Sequence, residues 1–165
     1  MNPVQFTDLI RAFMIHARPG RNLYIWHGQE QDLLGLLPSS NVHRLSIVEV
    51  LANMADIPFA DDDSRYRLSR LVRQTLDELI AEDHGDPQIL IVTGAVLLAR
   101  YGGANAFFDF VNDRRMVILQ VNPETVDAET LAHLPEYVQF RPAVELETLK
   151  HILERQENLI TEEQQ

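Results

Sequence analysis

His27-Gly28-Gln29 stand between a short apolar run, Leu23-Tyr24-Ile25-Trp26, and a segment that carries two carboxylates, Glu30 and Asp32. A histidine, a conformationally permissive glycine and nearby acids are the materials for moving a proton or for holding a nucleotide. Acid–base chemistry would pair His27 with Asp32, which requires hydrogen-bond reach and shifted pKa values. A phosphate loop at the same junction would need backbone N–H groups, a lysine to neutralise the phosphates and a Ser or Thr hydroxyl for Mg²⁺. Residues 26 to 32 contain no lysine and no hydroxyl, and Lys150, the only lysine in the chain, lies far along it. Conventional P-loop hydrolysis is excluded on that ground.

Two other junctions follow apolar runs in the same way: Thr93-Gly94 after Ile89-Leu90-Ile91-Val92, and Asn122-Pro123 after residues 116 to 121. His27, Gly28, Gln29, Thr93, Gly94 and Asn122 are therefore the candidate ligand-binding residues, although an ordinary strand-to-helix turn is the favoured account of the first three. Other chemistries find little support. The histidines at 16, 27, 43, 84, 133 and 151 show no His-Glu-x-x-His pattern, so no metal site is expected. No serine lies in a Gly-x-Ser-x-Gly elbow. Asp61-Asp62-Asp63 lacks the spaced oxygen ligands of a calcium loop and suits a helix-capping turn. The absence of cysteine excludes disulfides and thiolate chemistry and fits a cytoplasmic protein.

The elements that must position these residues alternate. Residues 3 to 17 carry Phe6, Leu9, Ile10, Phe13 and Met14 at helical spacing behind Pro3, and residues 23 to 26 read as a buried strand. A short helix over 32 to 37, a strand over 42 to 47 and a helix through Val48 to Met54 come next. The clearest helix spans 65 to 82, with Leu68, Leu71, Val72, Leu76, Leu79 and Ile80 as its apolar stripe. Residues 89 to 93 and 116 to 121 are strands apolar on both faces, as in a parallel sheet, and 137 to 140 read as a weaker one. Short helices are expected at 95 to 101 and about 106 to 111, and a C-terminal helix carries the apolar residues from Val144 to Ile160. The pattern predicts an α/β fold: one doubly wound, mostly parallel sheet of about five strands in a single domain over 1 to 160, with a polar tail at 161 to 165. A ligand would then sit beyond the carboxyl ends of the strands.

Composition narrows the partners. The formal charge of −11 argues against direct nucleic-acid binding, which needs clustered cations over the phosphates. No apolar run approaches the roughly 20 residues of a membrane span. A hydrophobic share of 45% is ordinary for a folded domain.

The order of first strand, would-be phosphate loop, arginine-rich helix, strand ending in Thr93-Gly94 and strand ending at Asn122 resembles the core of the AAA/STAND-type P-loop ATPases over residues 22 to 142. In that family the third strand named here ends in metal-binding and catalytic acids, and the fourth ends in a sensor Asn or Thr, the place of Asn122. The acids and the loop lysine are missing, so the resemblance implies a degenerate, non-catalytic member that needs no cofactor. The short length and residues 90 to 101 further resemble the small P-loop component of BREX-type phage-defence systems.

Surface-bound arginines and aromatics supply the candidates for protein partners. Arg65, Arg67, Arg70 and Arg73 crowd the first half of a helix whose second half holds Asp77, Glu78 and Glu82. That order opposes the helix dipole, so helix stability does not explain it. Arg114-Arg115 precede a strand, where an oligomeric ATPase could use a basic residue across an interface. Phe107 and Phe108 are adjacent and cannot share one narrow stripe, so one is expected in the core and the other towards a homodimer or partner contact. The leading expectation is a non-enzymatic adaptor subunit in a DNA-linked or defence complex. The alternatives are a small acid–base enzyme at the strand ends, or an acidic nucleic-acid mimic using Glu145, Glu147, Glu154, Glu157, Glu162 and Glu163.

Overall fold

Apolar residues at both parities of β1 (Leu23–His27), β3 (Gln88–Thr93) and β4 (Arg115–Val121) leave no strand face for water, and the sheet is indeed covered on both sides. The computed structural model describes residues 1–53, 62–101, 104–121, 142–153 and 156–161, with side chains described outside 52–53, 62–65, 100–101 and 142–145. Five strands form one sheet in the order β2-β3-β4-β1-β5, where β2 is Val42–Ser46 and β5 is Leu159–Thr161. Every pairing is parallel. The first strand is thus interior, flanked by β4 and β5.

Among the described residues the helices are α1 (Pro3–Ile15), α2 (Glu30–Leu34), α3 (Ile47–Asn53), α4 (Asp62–Ala81), α5 (Val96–Tyr101), α6 (Asn105–Phe110) and α7 (Pro142–Lys150). Alternation along the strands sorts them into two layers. Leu23 and Ile25 of β1, with Leu90, Val92, Val117 and Leu119, face α3 to α7 through Leu51, Leu68, Val72, Leu98, Phe107 and Leu149. Tyr24 and Trp26, with Ile89, Ile91, Met116 and Ile118, face α1 and α2 through Phe6, Ile10, Phe13 and Leu33. Phe6 meets Tyr24 with ring centroids 5.4 Å apart, a tilted pair that fixes α1 across β1. Asn2 starts α1 with a capping box: its Oδ1 accepts from Gln5 N–H (2.9 Å), and Gln5 Oε1 accepts from Asn2 N–H (3.1 Å).

The main correction lies at the C-terminus. The apolar residues from Val144 onward do not make one helix. α7 stops at Lys150, a 3-10 turn covers Gln156–Asn158, and Leu159–Thr161 is the fifth strand, with Ile25, Trp26 and His27 of β1 opposite it. Ile160 is fully buried with Phe6 and Trp26. Parallel pairing against an exposed edge of β1 outweighs helical periodicity there. Thr161 is consequently the last strand residue, not part of a tail. The strand expected at 137 to 140 lies outside the described residues.

Candidate functional site

Because all the strands run the same way, the ends of β3, β4 and β1 form one continuous carboxyl edge. Thr93-Gly94 and His27-Gly28-Gln29 therefore share an edge, with β4 between them; Asn122, the next residue after β4, lies outside the described residues. Ser46 stands opposite Thr93, and Thr161 opposite His27, so two further hydroxyls border the edge that motif reading had not singled out. Only the sheet register reveals them, because neither belongs to a motif. Ser46 Oγ accepts the Glu49 N–H at 3.3 Å and so serves the start of α3.

The loop after β1 is tied inward by its own chain. Gly28 N–H donates to the Val121 carbonyl (3.0 Å), and the Gln120 side-chain amide donates to the Gly28 carbonyl (2.8 Å). The Trp26 indole N–H, which as a buried donor needs a partner, finds the Gln29 carbonyl at 3.0 Å. Gly28 itself is buried. A phosphate cradle requires N–H groups turned outward; here the Gly28 N–H is spent on the sheet, and the next residues open α2 with carboxylates. Glu30 and Asp32 occupy its first turn. A phosphate approaching that turn would meet negative charge.

Glu30 has a structural task besides. Arg44 of β2 donates to it twice, Nε to Oε1 at 2.6 Å and Nη2 to Oε2 at 3.4 Å, clasping α2 to the sheet edge. That hydrogen bond raises the Arg44 pKa above its ordinary value, against an opposing effect of burial. His27 is half-buried, and Asp32 is exposed on α2. Among the described residues no group of His, Asp and Glu is arranged to hold a metal ion.

Gly94 has a packing reason. Its φ of +67° is in the left-handed region, and a Cβ there would come within 3.1 Å of Val48 Cγ2 at the start of α3. Thr93 is buried beside it.

The candidate arginines divide between two places. Arg114 and Arg115 lie at the amino end of β4, the opposite edge from the loop after β1. Arg115 holds Asp83 (Nη1 to Oδ2, 3.2 Å) and the Phe110 carbonyl (Nε, 2.7 Å), with its guanidinium over the Phe110 ring. Arg114 Nη1 donates to the Gly85 carbonyl at 2.8 Å, and Asn112 Oδ1 accepts both backbone N–H groups of the pair. Asp83 also accepts Gly85 N–H at 2.7 Å; that bond first, then Arg115, lowers its pKa. On α4, Arg73 reaches Asp109 of α6 at 2.9 Å, Arg67 is half-buried and Arg70 is exposed; the Arg65 side chain is outside the described set.

Phe107 is fully buried, whereas Phe108 is half-buried beneath the Arg21 guanidinium, 4.5 Å from the ring centroid. Both rings thus belong to the same core cluster, Phe107 within it and Phe108 packed against it. Of the C-terminal glutamates, Glu147 bonds Lys150 at 2.9 Å and Glu157 lies in the 3-10 turn; Glu154, Glu162 and Glu163 are outside the described residues, as is the Glu145 side chain. No helix among the described residues is long and apolar enough to cross a membrane.

Compared with protein-family models, curated proteins and solved structures, the chain matches none.

Proposed function

We propose that this protein is a non-catalytic interaction subunit built on an ATPase-like sheet, working inside a larger assembly. The observation that carries the reading is the loop after β1. It lies between the interior strand β1 and a helix and beside the end of β4, where a phosphate loop would stand on this reading, yet the Gly28 N–H and carbonyl are engaged with Val121 and Gln120. Phosphoryl transfer depends on preorganised positive charge and donors around the phosphates. This edge offers Glu30 and Asp32 instead, and Lys150 is committed to Glu147 on α7. The ends of β3, β4 and β1 are neighbours, as the loop and acid positions of an AAA/STAND-like core would need to be. On this reading the assembly is of the DNA-linked or phage-defence kind that the resemblance implies.

The test is phosphate release from ATP with Mg²⁺. Turnover at background is expected. Turnover well above background that disappears in Gln29→Ala or Asp32→Ala overturns the reading.

A further inference from the structure

The outer face of α4 carries a stripe that matches itself in reverse. Tyr66, Arg70, Arg73, Asp77 and Ile80 follow a 4-3-4-3 spacing, which places them on one side of a helix at about 100° per residue. All five are exposed, and Tyr66 (66%) and Ile80 (39%) are two of the few large apolar side chains so exposed among the described residues. Another side of the helix, Leu68, Val72 and Leu76, is in the core, so this stripe lies on the exposed side of α4, with Arg73 at its flank reaching Asp109 of α6.

Within one chain the charge order is unfavourable. Arginines stand at the positive end of the helix dipole and acids at the negative end. Arg70 and Asp77 are two turns apart, about 10 Å along the axis, and cannot pair with each other. Laid antiparallel on a second copy, the same stripe becomes complementary. With a two-fold axis passing between Arg73 and Gln74, each Arg70 faces the other copy's Asp77, and each Tyr66 covers the other copy's Ile80 and Ala81. Like charges do not collide bare at the axis, because Arg73 is held by Asp109 of its own chain at 2.9 Å. A self-complementary patch is what an isologous two-fold contact requires.

We infer that α4 is a homodimer contact, in which two copies pair antiparallel through Tyr66, Arg70, Asp77 and Ile80. The inference names one partner for the interaction role proposed above, and its readout does not involve nucleotide, so either can fail alone. The stripe extends about 21 Å along the helix, so the contact is smaller than a standard interface and the dimer is weak. At physiological ionic strength the net repulsion between two acidic copies is screened beyond about 8 Å, while the contact pairs persist.

Sedimentation velocity over a micromolar concentration series decides the matter, with circular dichroism as the check on folding. Reversible dimerisation is expected for the native chain. Arg70→Asp and Asp77→Arg each confront like charges twice per dimer and weaken it about tenfold or more. The double variant restores opposite charges across the axis and recovers dimerisation, which loss of folding in either single variant could not produce. Tyr66→Ala weakens the dimer without touching a charge. The inference is overturned by a native chain that stays monomeric throughout, by a dimer indifferent to both reversals, or by a double variant no better than the singles.

Discussion

The side-chain amide of Gln120 donates to the carbonyl of Gly28 across 2.8 Å, and both groups are buried. This bond joins β4 to the turn after β1 and sets which way the turn's backbone faces. Gln120→Leu would leave the Gly28 carbonyl buried without this donor. A loss of about 1–3 kcal/mol is expected, read as a lower urea midpoint at unchanged slope.

Gln88 makes the opposite prediction from the same residue type. It is buried at the start of β3, and its Oε1 has no hydrogen-bond partner among the described residues. Gln88→Met removes that orphaned acceptor at similar volume. Stability is expected to stay level or rise; a fall of the size expected for Gln120→Leu would show that the Gln88 amide is needed.

At Gly94 two costs can be separated. Gly94→Ala combines the left-handed backbone, about 1–2 kcal/mol for a residue with a Cβ, with crowding against Val48 Cγ2 at 3.1 Å. Val48→Ala removes the crowding atom. In a double-mutant cycle the penalty of Gly94→Ala should therefore shrink on the Val48→Ala background but not vanish.

Acid should loosen the turn between α4 and β3. The Asp83 pKa is lowered by the Gly85 N–H and then by Arg115. A carboxyl with a depressed folded pKa contributes stability that is complete above its unfolded pKa and is lost as the pH falls through the folded one. The stability gap between the native chain and Asp83→Asn should be open at neutral pH and close below the ordinary carboxylate range. A gap independent of pH would show that the Asp83 charge contributes nothing.

The Arg44–Glu30 clasp is expected to matter little by comparison. Half of the Arg44 side chain is exposed, so water competes for both partners despite the 2.6 Å contact. Arg44→Ala should cost about 0–1 kcal/mol in chemical denaturation.

Most of the fold was legible because covered parallel strands announce themselves as apolar runs. Ile89-Leu90-Ile91-Val92 and Val117-Ile118-Leu119 could hardly be anything else. Leu159-Ile160 could not be read, because three residues carry no period and their strand identity comes wholly from β1. The carboxyl edge was legible as a location, since parallel strands put Thr93 and Gly28 on the same side. Its chemistry was not. Gln120 lay inside an apolar run with no motif to mark it, and only the register opposite Trp26 reveals that it secures the turn. Arg114 and Arg115 offered charge in the sequence, but their bonds to Gly85, Asp83 and Phe110 depend on contacts some thirty residues away or on a turn's local shape.

The interior place of β1 also dictates an order of events during synthesis. Leu23 pairs with Val117, and Ile25 with Leu159, so neither neighbour of the first strand exists until well over half the chain has been made. The nascent segment holding Tyr24, Ile25 and Trp26 must wait without strand partners while β2 and β3 emerge and can already pair with each other. Separations of roughly ninety residues and more slow the closing step and lengthen the time for which sticky surface is uncovered. A stalled or truncated product ending before β4 would be left with a finished hairpinless pair of strands and an orphaned aromatic one, a species that chaperones would be expected to hold.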